Sequence, residues 1–109
     1  MSYSVKTIDV FERQAKKLAK KYISLKNELL TLVQELKENP ELGTALGNNC
    51  YKMRLSIASK GKGKSGGARV ITNLVISEKT VYLLSIYDKS EKANLSDKEL
   101  KELLKGIPK

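Results

Sequence analysis

The sequence predicts an α+β fold, a small and mostly antiparallel sheet with an αα-hairpin packed on one face, in the order β-α-α-β-β-β-α. Three observations predict it. Two consecutive segments, Phe11 to Tyr22 and Leu25 to Leu36, carry apolar residues at helical spacing. Three later segments, CYKMRLSIA, ARVITNLVI and TVYLLSIYD, read as strands, and LSDKELKELLKGI returns to helical spacing. Helices grouped apart from strands, rather than alternating with them, argue for α+β layers over a parallel α/β sheet. At 109 residues the chain has the length of one domain, expected to span residues 1–109.

Taken in order, YSVKTI alternates, with Tyr3 and Val5 on one face, as a short opening strand does. Asp9 is the expected N-cap of the first helix, with Glu12 three residues on in the manner of a capping box. That helix places Phe11, Ala15, Leu18, Ala19 and Tyr22 on one face, and Arg13, Lys16, Lys17, Lys20 and Lys21 around the remainder. The lysines could serve RNA, but amphipathicity alone demands a polar face. Ser24 is expected to cap the second helix, whose Leu25, Leu29, Leu32, Val33 and Leu36 turn inward. It should end near Asn39, because a residue before proline avoids the helical region.

PELGTALGNN then reads as turn-rich chain leading into the second strand. There Tyr51, Met53, Leu55 and Ile57 point one way, and Lys52, Arg54 and Ser56 the other. ARVITNLVI and TVYLLSIYD form a hairpin about Glu78-Lys79. Ser96 and Glu99 make a capping box for the last helix, which stops at Gly106 and Pro108. With the helices on one side, the other face of the sheet is expected to be free for function.

The charge is uneven. Twenty-one Lys and Arg against twelve Asp and Glu give +9, which suits a polyanionic partner. No carboxylate occurs between Glu41 and Glu78, where Lys52, Arg54, Lys60, Lys62, Lys64 and Arg69 all fall. The chain has no histidine, which removes His-based triads and His-ligated metals, and no metal or cofactor is expected. Its one cysteine, Cys50, reads as a small buried filler. No signal-peptide pattern opens the sequence and its apolar runs are too short to cross a bilayer, so the cytoplasm is the expected compartment and no membrane the expected partner.

Ala58 to Ser65, A-S-K-G-K-G-K-S, satisfies a relaxed Walker A pattern. A phosphate-binding loop of that kind must lead into a helix, and here Gly66-Gly67 and a strand follow. The better reading is a cationic hairpin loop, in which Lys60, Lys62 and Lys64 neutralise RNA phosphates and the glycines let the chain conform to them.

The run ENPELGTALGNNCYKMRL, the strand GGARVITNLVI and the closing YLLSIYDKSEKANLS, behind a helical hairpin carrying FERQAKKLAKKY, resemble the RelE/HigB branch of the RelE/ParE toxin superfamily of bacterial type II toxin–antitoxin modules. The resemblance covers nearly the whole chain. It implies a RelE-like fold and a metal-independent endoribonuclease that docks in the ribosomal A site and cuts mRNA there, held by a cognate antitoxin in a hetero-oligomer. By position it implies Lys52 and Arg54 as a second-strand basic pair, Arg69 as a third-strand arginine, and Tyr87 with Lys89 or Lys92 as the tyrosine and basic residue near the C-terminal end.

Such a reaction uses the substrate's own 2′-hydroxyl as nucleophile, so the protein must take its proton, stabilise the phosphorane and protonate the departing 5′-oxygen. Arginine forks fit non-bridging phosphate oxygens, which makes Arg54 and Arg69 the expected clamp. Lys52 is the first candidate base, since neighbouring cations favour the neutral amine. Tyr87 is expected to stack on a flanking base or orient the hydroxyl. Two other readings stand beside this one: a ParE-like inhibitor of DNA gyrase, and an RNA-binding module without catalysis.

Overall fold

The computed structural model describes residues 2–60, 67–92 and 94–108, without the side chain of Lys60. Among these residues run β1 (Ser4–Thr7), α1 (Asp9–Lys21), α2 (Leu25–Glu38), β2 (Thr44–Gly47), β3 (Cys50–Leu55), β4 (Ala68–Val75), β5 (Thr80–Asp88) and α3 (Asp97–Leu104). The α+β class stands as expected, with one strand more than the sequence reading.

That extra strand is β2, inside the stretch read as turn. Asn48 and Asn49 both have positive φ, 55° and 60°, the backbone a tight two-residue hairpin turn needs, and they fold β2 onto β3 with Gly47 opposite Cys50. The Asn73 side chain, on β4, donates to the Asn48 and Asn49 carbonyls and holds that turn against the sheet.

The five strands form one sheet in the order β1-β5-β4-β3-β2. All neighbours are antiparallel except β1, which pairs in parallel with β5, Ser4 opposite Thr80 and Thr7 opposite Leu83. Beyond Leu83 the edge of β5 leaves β1, and α1 supplies its partner: Gln14 Oε1 accepts from Ile86 N at 3.0 Å and from Ser85 Oγ at 2.9 Å. Ile8 occupies the N-cap of α1 with no side-chain bond, while its N–H donates to the Leu83 carbonyl. Asp9 and Glu12 therefore lie in the first turn of the helix, where their charge suits the dipole, and the expected capping pair does not form.

Leu25, Leu32 and Leu36 of α2 and Phe11 and Leu18 of α1 are buried with Met53, Leu55, Val70 and Ile86 in one hydrophobic core. Burying such side chains is worth about 1.5–3 kcal/mol each, which is why the alternation in β3 holds its register. No described helix is long and apolar enough to cross a membrane. The third helix starts on the expected capping box: Ser96 Oγ accepts from Glu99 N at 3.1 Å, and Glu99 Oε1 accepts from Ser96 N at 3.0 Å.

Candidate active site

Register builds the site. Arg54 stands opposite Arg69, and Arg69 opposite Tyr87, so one residue from each of three adjacent strands falls in a single cross-strand row. Directly opposed residues point to the same face, and strands lie about 4.7–4.9 Å apart, so the two guanidinium groups and the phenol are neighbours. The next row on that face holds Lys52, Ile71 and Ser85. Leu84 is the extra residue of a bulge, since Ile71 pairs with Ser85 but Thr72 with Leu83, and a bulge there turns the end of β5 relative to the rest of the strand.

A cleft of about 860 Å³ opens along β3. Its position follows from the shortness of β2, which pairs only as far as Lys52 and leaves the edge of β3 from Met53 to Leu55 open. Lys52, Arg54, Arg69 and Lys89 line it, with Glu28 and Glu35 of α2 on one wall. Glu28 is already engaged: its carboxylate accepts from Ala58 N at 2.6 Å and from Ser24 Oγ at 3.1 Å. Ser24 Oγ also accepts from Ser59 N at 3.0 Å, so the residue expected to cap α2 instead ties the helical hairpin to the chain that leaves β3.

The members of the row differ in exposure. Arg54 is exposed, whereas Arg69 is 4% and Tyr87 7% exposed. Arg69 Nη1 donates to the Ala68 carbonyl at 3.1 Å, which fixes the guanidinium in place. Burial pushes the Tyr87 phenol above its ordinary pKa, Arg69 and Lys92 pull against that, and Glu99 adds to it. The hydroxyl therefore holds its proton more tightly than an ordinary tyrosine.

The end of β5 is held by Asp88, 1% exposed, which accepts from Tyr22 Oη at 2.7 Å and from the backbone N and Oγ of Ser90 at 2.9 and 2.8 Å. Lys89 N donates to the Gly67 carbonyl at 3.2 Å. These bonds set the directions of the two lysines that follow. Lys89 faces the cleft; Lys92 lies on the other side, lining a cavity beneath α3 and bonded to Glu99.

Lys52, Arg54, Arg69 and Lys89 thus share the cleft, Tyr87 adjoins it through Arg69, and Lys92 is turned away into an ion pair. The pairing holds the Glu99 carboxyl down at about 2, helped by the Ser96 N–H. Lys62, Lys64 and the Lys60 side chain lie outside the described residues. The sheet face expected to be wholly free is partly covered, because α3 lies over the Ser85 and Tyr87 end of β5.

Sequence reasoning missed Gln14 and Asp88. Asp88 had a signal, a carboxylate followed at two residues by serine, the pattern of a local Asx turn. Gln14 had none, because its partners lie more than seventy residues away.

The family model described as the RelE toxin of the RelE/RelB toxin–antitoxin system matches residues 7–107. The free E. coli toxin RelE, solved as a double arginine-to-alanine mutant, superposes with a TM-score of 0.64 at 20% identity, covering 99% of this chain and 100% of that one. A chain of the E. coli RelBE toxin–antitoxin complex gives 0.61 at 18% identity, over 80% of this chain and 96% of its own length. One from the RelBE2 toxin–antitoxin complex of Mycobacterium tuberculosis gives 0.58 at 15% identity, over 81% and 92%. The family match takes in every strand of the cleft and the whole of α3, and on that match the chain belongs to the RelE toxin family.

Proposed function

We propose that this chain, as one domain, is the toxin of a type II toxin–antitoxin module, an endoribonuclease that cuts mRNA in the ribosomal A site and so stops translation in the cytoplasm. The observation that supports it most is the row Arg54, Arg69, Tyr87: two guanidinium groups and a phenol, side by side at the edge of an open cationic cleft.

The phosphodiester sits on Arg54 and Arg69, whose forks take its non-bridging oxygens and the charge that grows on them. Lys52, two residues from Arg54 on the same face, takes the 2′-hydroxyl proton. The 2′-oxygen bonds to phosphorus, the bond to the 5′-oxygen breaks, and that oxygen leaves with a proton, giving a 2′,3′-cyclic phosphate and a 5′-hydroxyl. Tyr87 is the proton donor closest to Arg69 in register. Lys89 holds a neighbouring phosphate, and the lysines of the 60–64 loop extend the path of the RNA.

The matched chains of E. coli and M. tuberculosis come from RelBE complexes with antitoxins. For this basic chain the fitting partner is an acidic, amphipathic antitoxin that covers the cationic face.

Purified protein added to translating ribosomes, with mRNA 5′ ends mapped, tests the reading. Cuts in phase with codons are expected. Intact message with linearised plasmid would instead indicate gyrase poisoning, and unbroken RNA and DNA with retained RNA affinity would indicate a binding module; either overturns the nuclease.

A further inference from the structure

The turn that follows β5 is built on one residue. Asp88 is buried, and a carboxylate is costly to bury unless donors meet its charge. Here they come from two separate parts of the fold: Tyr22 Oη, at the C-cap of α1, and the backbone N and Oγ of Ser90. The Asp88 carbonyl accepts as well, from Glu91 N at 3.0 Å and from Lys92 N at 3.1 Å. Side chain and main chain of this one residue thus define the path of the chain as far as Lys92.

Lys89 is the first residue of that turn, exposed and lining the cleft. Since β5 ends at Asp88, the turn sets the direction in which the lysine leaves the backbone. Tyr22 braces the turn from behind. Successive residues of a strand point to opposite faces, so Asp88 reaches α1 while Tyr87 reaches the cavity beneath α3. A second tie between the same segments, Lys21 Nζ to Glu91 Oε1 at 3.2 Å, joins side chains that are more than half exposed, and such pairs contribute little. The buried end of the Tyr22–Asp88 bond makes it the stiffer link.

We propose that Tyr22 and Asp88 are positioning residues for Lys89. The Tyr22 hydroxyl holds the Asp88 carboxylate, the carboxylate holds the turn, and the turn holds the Lys89 ammonium over the cleft, although neither Tyr22 nor Asp88 touches RNA. The inference rests on reading Lys89 as a phosphate ligand. A long side chain that leaves a fixed turn has less freedom to lose on binding, so removing the brace weakens the contact without removing a charge.

The test is a double-mutant cycle on the full chain, with parent, Tyr22→Phe, Lys89→Ala and the double variant, read by anisotropy with an oligoribonucleotide carrying a 2′-deoxy sugar at the cut. Lys89→Ala should lower the salt slope of binding by about 0.7, as loss of one phosphate contact on a single strand does. Tyr22→Phe, which keeps the ring, should weaken binding about threefold to tenfold in the parent and not at all in Lys89→Ala, the mark of two residues acting as one unit. A merely structural role would cost the same in both backgrounds. Should Tyr22→Phe fail to fold, Ser90→Ala, which removes a different donor to the same carboxylate at an exposed position, carries the cycle. Equal losses in both backgrounds, or no loss in either, overturn the positioning role alone. An unchanged slope in Lys89→Ala removes the phosphate ligand, and the positioning role with it. If the cycle closes as expected and the chain cuts no RNA, the positioning role stands and the nuclease falls.

Discussion

The clamp role proposed for Arg69 rests on its position more than on its residue type. The residue is 4% exposed and its guanidinium is tied to the Ala68 carbonyl, so its charge acts where water screens it little. Replacing Arg69 by Ala should lower cleavage by about 100- to 1,000-fold, the usual loss for one donor to developing oxyanion charge, while circular dichroism stays that of the folded chain. Growth arrest by that variant at equal protein level would contradict the assignment. Gly43 makes a second test at this scale. Its φ is +104°, and a Cβ there would lie 2.5 Å from the Lys52 carbonyl oxygen, so Gly43→Ala should cost about 1–3 kcal/mol in chemical denaturation; an unchanged midpoint would show that the backbone gives way freely. Lys52 and Arg54 were legible in the sequence because the alternation of β3 assigns them a face, whereas Arg69 was picked out by the family resemblance, since ARVITNLVI carries no alternation. The burial of Tyr87 was not legible, because what covers it is a helix whose docking no local pattern records.

The elements carry a similar division. The Ser96–Glu99 capping box was readable because both partners sit within one turn. Ile8 took the place expected for Asp9 because its N–H meets Leu83, a contact set by the parallel pairing of β1 and β5. β2 escaped because four residues are too few to show alternation, although the Asn-Asn turn marked its end. Glu99 joins the start of α3 to Lys92, and its carboxyl sits at about 2, below the ordinary 4.5. A depressed carboxylate pKa stabilises the fold above the unfolded value and loses that contribution as pH falls through the folded one. Between pH 4.5 and 2, then, the protection of the Ser96 to Leu100 amides, measured against the intrinsic exchange rate at each pH, should fall, and Glu99→Gln should show the lower protection, hence faster exchange, already at pH 7. Equal exchange in variant and parent at neutral pH would mean that the ion pair contributes nothing to the helix.

For the molecule as a whole, a net charge of +9 combined with a cleft lined by Lys52, Arg54, Arg69 and Lys89 predicts that the proposed RNA affinity depends on salt. With about four phosphates neutralised on a single strand, log K should fall against log salt with a slope of about −3, and Arg54→Ala should reduce the steepness by about 0.7. Anisotropy with an oligonucleotide carrying a 2′-deoxy sugar at the cut gives the slope; a flat line would remove phosphate contact from the account. The parallel pairing of β1 with β5 has its own consequence. Synthesis proceeds from the N-terminus, yet the first strand can only be zipped in by a segment made near the end, and that same segment supplies Tyr87. A nascent chain halted ahead of it has neither a complete sheet nor the phenol, so the row of Arg54, Arg69 and Tyr87 is assembled only after its own message has been almost fully read.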